Sequence, residues 1–287
     1  MPSGGHAVVQ ALLAAGVDHA FCVPGESFLG LLDALYDTPG IRVIATRHEG
    51  GAAFMAEAFG KLTRRPAVCM GTRMVGAGNL AIGIHTAHQD SSPMLALVGQ
   101  VATGERYREA FQESELAQVF APISKWSVEP PRADRLGELT LRAARLAISG
   151  RPGPVVVSLR EDLLAQEVPV FEAQPLQPPR PAPEPARVDD ALRLLRSAQR
   201  PLMILGGGVL AARASDAYVR LAETEEIPAT AAWRRPDVFP NDHRLFLGHG
   251  GLGAPTSLIQ RLADADVILA VGTRLNEMTS QAYTVPA

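Results

Sequence analysis

The segment RHEGGAAFMAEAFGK (47–61) places a carboxylate, Glu49, where a strand ends and a helix opens, with Gly50 and Gly51 directly behind it. Taken alone, a glutamate in a helix's first turn answers to the helix dipole, whose positive end favours an anion. A carboxyl group so placed can also trade a proton with a partner if its surroundings exclude water, because burial favours the neutral form. The two glycines, having no side chains, would let another group approach the helix start. Two chemistries therefore stand open at Glu49: dipole compensation and proton exchange.

The neighbouring segments add polar groups at other strand–helix junctions. GTRMVGAGN (71–79) takes a strand through a turn into a helix that carries Asn79, and SSP (91–93) leads into a buried strand that ends in GQV (99–101). EAFQESEL (109–116), Lys125 and SGRPGPV (149–155) follow. His85 and His88 sit three apart on one helix, but no third ligand is apparent, so no metal site is expected in this chain. Cys22 and Cys69 each lie in an apolar strand-like stretch without a C-x-x-C partner and read as reduced core thiols. His48 reads as a support for the junction beside Glu49.

What must hold these groups is a run of alternating strands and helices. Val9, Leu12 and Leu13 have helical spacing up to Gly16, HAFCV (19–23) reads as a short buried strand, and PGES turns into a helix with Phe28, Leu31, Leu32, Leu35 and Tyr36 on one side. The alternation continues through strands at 41–46, 66–71, 94–99, 125–129 and 154–159. Helices fall between them at 49–62, 76–88, near 112–120, and at 134–148. Continuous apolar strands between helices predict a mostly parallel sheet covered on both faces, an α/β fold. Seven prolines between Val168 and Arg187 exclude helix and central strand there and predict an extended linker over the first domain's surface. A second α/β unit then reads as helix 188–198, strand 201–206, a Gly206-Gly207-Gly208 turn, helix 209–224, strand 228–232, helix 255–263 and strand 266–272. Three or so strands are few for an open sheet, so this unit reads as incomplete.

The ordered series VPGES, RHEGGAA, GAGN, SSP, GQV, AFQE and SGRPGPV resembles the pyrimidine-binding (Pyr) domain of thiamine-diphosphate enzymes such as acetolactate synthase, benzoylformate decarboxylase and pyruvate decarboxylase. PLMILGGGV and ADADVILAVGTRL resemble the Rossmann-like central domain of the same family, which in some members holds FAD or a nucleotide. The resemblance implies a Pyr domain over 1–165, a Pro-rich linker over 166–187 and a truncated central domain over 188–287. It also implies a role for Glu49: hydrogen bonding to N1′ of the cofactor's aminopyrimidine, so that the imino nitrogen can take the proton from thiazolium C2. By the same likeness Pro24, Gly25, Gly50, Gly51, Gly76 and Asn79 lie beside the cofactor. Glu26, Thr72, Phe111, Gln112 and Lys125 lie on the substrate side; Glu26 matches a position that is Asp in pyruvate decarboxylases and Ser in benzoylformate decarboxylase.

Three departures qualify the likeness. Acetolactate synthases read Ser-Gly-Pro-Gly where this chain has Arg73-Met74-Val75-Gly76, and VATGERYREAF has no counterpart to the histidine pair of pyruvate decarboxylases. The family's Gly-Asp-Gly…Asn motif, which holds magnesium and through it the diphosphate, does not occur in these 287 residues. The expected function is thus part of a carboligase or decarboxylase acting on a 2-oxo acid, inactive by itself and assembled with a second copy as a homodimer or tetramer. The alternative is a non-catalytic nucleotide-binding or scaffolding protein that keeps the fold. A formal charge of -3 with no basic stripe gives no reason to expect nucleic acid or a membrane as partner, and the compartment expected is the cytoplasm.

Overall fold

The computed structural model describes residues 1–177 and 181–285. It divides into two compact units, Met1–Arg180 and Pro181–Ala287.

The first unit is a six-stranded sheet in the order β2-β1-β3-β4-β6-β5 with every pairing parallel. Its strands are β1 (His19–Cys22), β2 (Arg42–Ala45), β3 (Ala67–Thr72), β4 (Met94–Gln100), β5 (Trp126–Val128) and β6 (Pro154–Arg160). Successive residues serve opposite faces. Val68 and Met70 of β3 with Leu95 and Leu97 of β4 enter one core, while Cys69 with Ala96 and Val98 enter the other. Both faces are therefore dry, which is why these strands read as unbroken apolar runs. The first core lies under α1 (Gly4–Ala14), α2 (Leu29–Tyr36), α6 (Leu136–Ile148) and α7 (Glu161–Ala165). The second lies under α3 (Glu49–Thr63), α4 (Arg73–Asp90) and α5 (Leu116–Phe120). Cys22 and Cys69 are free and buried, and burial pushes the Cys69 thiol up to about 12.

Several elements differ from expectation, each for a local reason. The helix expected near 112–120 shortens to α5, because Gln112 has φ +61 and Glu113 spends its carboxylate on the backbone N–H groups of Tyr107 and Ala110. The helix expected from 76 starts at Arg73, which takes the first position of α4 at φ +44. α7 follows β6 directly and has no separate signal in the sequence.

Residues 168–176 run over the first unit. The Val168 N–H donates to the Pro2 carbonyl, the Leu176 N–H donates to the Ala14 carbonyl, and Phe171 and Leu176 pack on the first core. Pro178 and Pro179 of the expected linker lie outside the described residues. Helix was excluded up to Arg187, yet α8 (Pro185–Ser197) opens on the last of those prolines. Proline at a helix's first position gives up an N–H that has no intrahelical partner anyway.

The second unit has four parallel strands in the order β10-β7-β8-β9: β7 (Pro201–Leu205), β8 (Ala229–Ala231), β9 (Phe246–His249) and β10 (Val267–Val271). The fourth, β9, was not foreseen; Gly248 at φ +108 interrupts its pattern. The helix expected over 209–224 is two, α9 (Gly207–Ala211) and α10 (Ser215–Glu225), separated where Arg213 turns to φ +53. α11 (Thr256–Asp264) completes the unit. Gly206 and Gly208 meet Gly272 backbone to backbone: a methyl group on Gly206 would lie 2.5 Å from the Gly272 carbonyl oxygen. Among the described residues no helix is long and apolar enough to cross a membrane.

Candidate active site

In the first sheet β1 sends its chain outward to β2, whereas β3 sends its chain the other way to β4, so the carboxyl ends of β1 and β3 flank a switch point where α/β folds place ligands. Glu49 stands there. His48 caps α3, its Nδ1 accepting from the Gly50 N–H at 3.0 Å, and this fixes the first turn that presents Glu49. The α3–α4 contact then brings a residue thirty positions away onto the carboxylate. α3 and α4 approach closely because Gly83 has no side chain; a methyl group there would lie 2.4 Å from Ala53 Cβ.

At that approach Asn79 Nδ2 donates to Glu49 Oε2 at 2.9 Å. Glu49 is half-buried, and among the described residues its Oε1 accepts no hydrogen bond. Gly76 lies beside Oε1: a methyl group on it would be 3.2 Å from that oxygen and 3.1 Å from the Gly71 carbonyl carbon. The arrangement holds one carboxylate oxygen in place by an amide and leaves the other, beside Gly76, with its acceptor capacity unused among the described residues.

The two glycines behind Glu49 have different uses, contrary to the single use expected of them. Gly50 is buried, and a methyl group on it would meet His48 Nδ1 at 2.9 Å and the Asn79 carbonyl oxygen at 3.3 Å, so its bareness serves the junction. Gly51 is exposed with nothing within 4 Å of the corresponding position, so it alone of the pair keeps open surface beside Glu49.

Pro24 and Gly25 form the turn after β1, and Gly25 lies against Thr72 at the end of β3. A methyl group on Gly25 would sit 1.6 Å from Thr72 Oγ1, an overlap that one side-chain rotation must relieve. Gly25→Ala should therefore lower stability by about 1–3 kcal/mol, read as a fall in the urea midpoint at unchanged slope. Thr72 Oγ1 is buried without a hydrogen-bond partner among the described residues. Glu26 opens a short 3-10 turn and is exposed.

Phe111 and Gln112 come to the start of α4 through their carbonyl groups. Arg73 Nη1 donates to the Phe111 carbonyl at 2.8 Å and the Met74 N–H donates to the Gln112 carbonyl at 3.3 Å. The large cation that replaces a small residue here turns to the Phe111 carbonyl and to Glu161, 3.3 Å away, and Val75 is 57% exposed.

Lys125 is not brought to this group. Its N–H donates to the carbonyl of Pro154, where β6 begins, and its ammonium donates to the carbonyls of Leu146 and Ser149 at the end of α6. That is the amino end of the sheet, opposite Glu49. Burial, with the charge of Arg151, holds the Lys125 ammonium below the ordinary lysine range. Its work is to satisfy the last carbonyls of a helix. His85 is exposed, the His88 carbonyl accepts from Arg151, and no cluster of three metal-ligating side chains exists among the described residues.

Sequence reasoning missed a buried ionic group on the segment before α5. Arg106, its side chain 5% exposed, donates to Glu113 at 2.6 Å and Glu115 at 3.0 Å and lies 3.5 Å from Glu129. Burial works against the Arg106 charge, but Glu129, Glu115 and Glu113 outweigh it and raise the guanidinium pKa above its ordinary value. Arg160 also bonds Glu129, which further accepts from Ser158. ERYREAFQESE reads in sequence as a solvated polar run; which of its charges pair inside cannot be told from spacing.

The carboxylate and the bare glycines stand at the switch point of a parallel α/β sheet, and two family descriptions say which class of α/β unit this is. The chain matches "Thiamine pyrophosphate enzyme, N-terminal TPP binding domain" over residues 2–119 and "Thiamine pyrophosphate enzyme, central domain" over residues 188–287, and it belongs to that family. It is 35% identical over 281 residues to a probable acetolactate synthase large subunit of Methanocaldococcus jannaschii, covering 96% of this chain and 47% of that protein. It is 33% identical over 279 residues to an acetolactate synthase of Mycobacterium bovis (96% and 45%). It is also 33% identical over 286 residues to the acetolactate synthase isozyme 3 large subunit of Escherichia coli (98% and 50%). The chain thus spans about half the length of the curated relatives it matches.

Proposed function

We propose that this chain supplies the pyrimidine side of an acetolactate synthase-like active site, which joins small 2-oxo acids with thiamine diphosphate as cofactor. The observation that carries the reading is Glu49: one oxygen fixed by Asn79, the other free at the carboxyl end of the sheet beside Gly76. These residues fit an aminopyrimidine ring, whose N1′ would meet Oε1. When bound, the cofactor supplies the nucleophilic carbon and the electron sink for decarboxylation. The protein holds the ring, keeps Glu49 oriented through Asn79, and passes a proton at Oε1.

Magnesium needs hard oxygen ligands and the diphosphate needs N–H donors or cations, and among the described residues no cluster of metal-ligating side chains occurs. The reading therefore assigns both to a further domain, on the same polypeptide or on another. In the second unit the strand order reverses at β7 and β10, and FAD or a nucleotide would lie at their carboxyl ends beside Gly207, against which the Arg235 side chain packs.

A second copy of the chain is the expected partner, seated on α3 and α4. Phe54, Met55 and Leu62 of α3, with Val75 and Ile82 of α4, are exposed apolar side chains on these two helices, with Leu62 77% and Ile82 60% exposed. Product analysis of the completed enzyme with pyruvate tests the activity. The expected product is the carboligated hydroxy-oxo acid, and acetaldehyde as main product would move the chain to the decarboxylase branch.

A further inference from the structure

The segment from Ala102 to Glu115 crosses the carboxyl end of the sheet as irregular backbone, with Tyr107, Glu109 and Gln112 all at positive φ. Its base is anchored by the buried Arg106–Glu113 pair and by the Tyr107 and Ala110 N–H groups on Glu113. Its far end, with Phe111 72% exposed, has no such core. What fastens that end to α4 is the Met74–Gln112 backbone bond and the guanidinium of Arg73. Arg73 is itself only 11% exposed, and its other arm lies on Glu161 at the start of α7. One planar side chain thus joins α4, the Phe111–Gln112 turn and α7 beside Thr72 and Gly25.

We propose that Arg73 is a positioning residue that docks the Phe111–Gln112 turn onto α4 and so sets how tightly the substrate side of the site closes on the 2-oxo acid. This rests on the reading of the site given above. A guanidinium suits the task because its fixed fork can serve a carbonyl and a carboxylate at once, whereas an ammonium is a point charge on a flexible stem. Glu49 is held separately, by Asn79, so loosening the turn should weaken substrate binding and leave proton transfer at Glu49 intact.

The test combines steady-state kinetics of the completed enzyme with backbone amide exchange. Arg73→Ala should raise KM for pyruvate roughly tenfold, the scale of one charge-assisted hydrogen bond, with the exchange rate of the cofactor's C2 proton unchanged. Arg73→Lys should recover part of the loss. Glu161→Ala should raise KM less, and add little in the Arg73→Ala background because the two act through one contact. The Met74 amide, which donates to the Gln112 carbonyl, should lose protection in Arg73→Ala while circular dichroism stays that of the parent. An unchanged KM, or a fall in kcat and C2 exchange together with the rise in KM, would overturn the proposal. Should the unsubstituted enzyme show no C2 exchange at all, the site reading itself fails. The amide arm then decides the docking alone, with lost protection at Met74 supporting it and unchanged protection overturning it.

Discussion

Glu49→Gln in the completed enzyme should leave a folded, cofactor-binding protein whose turnover falls by about 10²–10⁴, the usual contribution of a positioned acid–base group. A carboxamide has nearly the shape of the carboxylate and can still accept from Asn79, so the α3–α4 junction keeps its hydrogen bond. What it cannot do is accept and return a proton at the other atom. The stability cost should be small, about 0.3–1 kcal/mol for losing an anion at a helix start, since Glu49 is half-buried and pairs with no cation among the described residues. Turnover and the thermal midpoint measured side by side separate the two effects. Equal loss of both would make Glu49 a structural residue.

The second large effect concerns the 287-residue chain by itself. The pyrimidine ring would contribute about 0.3 kcal/mol for each of its roughly ten non-hydrogen atoms, some 3 kcal/mol, which corresponds to millimolar affinity. The diphosphate is the stronger handle, and it needs magnesium and helix N-termini. At the start of α4 the Met74 N–H is already taken by the Gln112 carbonyl, and no metal cluster is present among the described residues. Calorimetry with thiamine diphosphate and magnesium should therefore show binding no tighter than about millimolar, and sedimentation should show a dimer through α3 and α4. Micromolar binding would mean a diphosphate site elsewhere in the chain, and a strict monomer would remove the argument from the exposed apolar helices.

The parallel sheet was legible because the two-sided burial of β3, β4 and β6 leaves apolar runs that no half-exposed strand would have. Glu49 was legible as a residue at a strand–helix junction, but its partnership with Asn79 was not, since it depends on a helix contact made possible by Gly83 against Ala53. Gly50 and Gly51 look alike in sequence and diverge in space, because one faces the His48 cap and the other faces outward. Lys125 carried its own correction: it precedes β5, and a residue at the amino end of a parallel strand stands across the sheet from a site at the carboxyl ends. The turn at Phe111 and Gln112 hid as a helix because Glu113 bonds backward to the backbone, a preference that apolar spacing does not register.

The most direct measurement is proton–deuterium exchange at thiazolium C2, followed by NMR in the completed enzyme with and without Glu49→Gln. Exchange by the parent should be far faster than that of free cofactor, and by the variant slower than the parent by about 10²–10⁴. Exchange at the parent's rate in Glu49→Gln would contradict the assignment of Glu49 as the group that passes the proton.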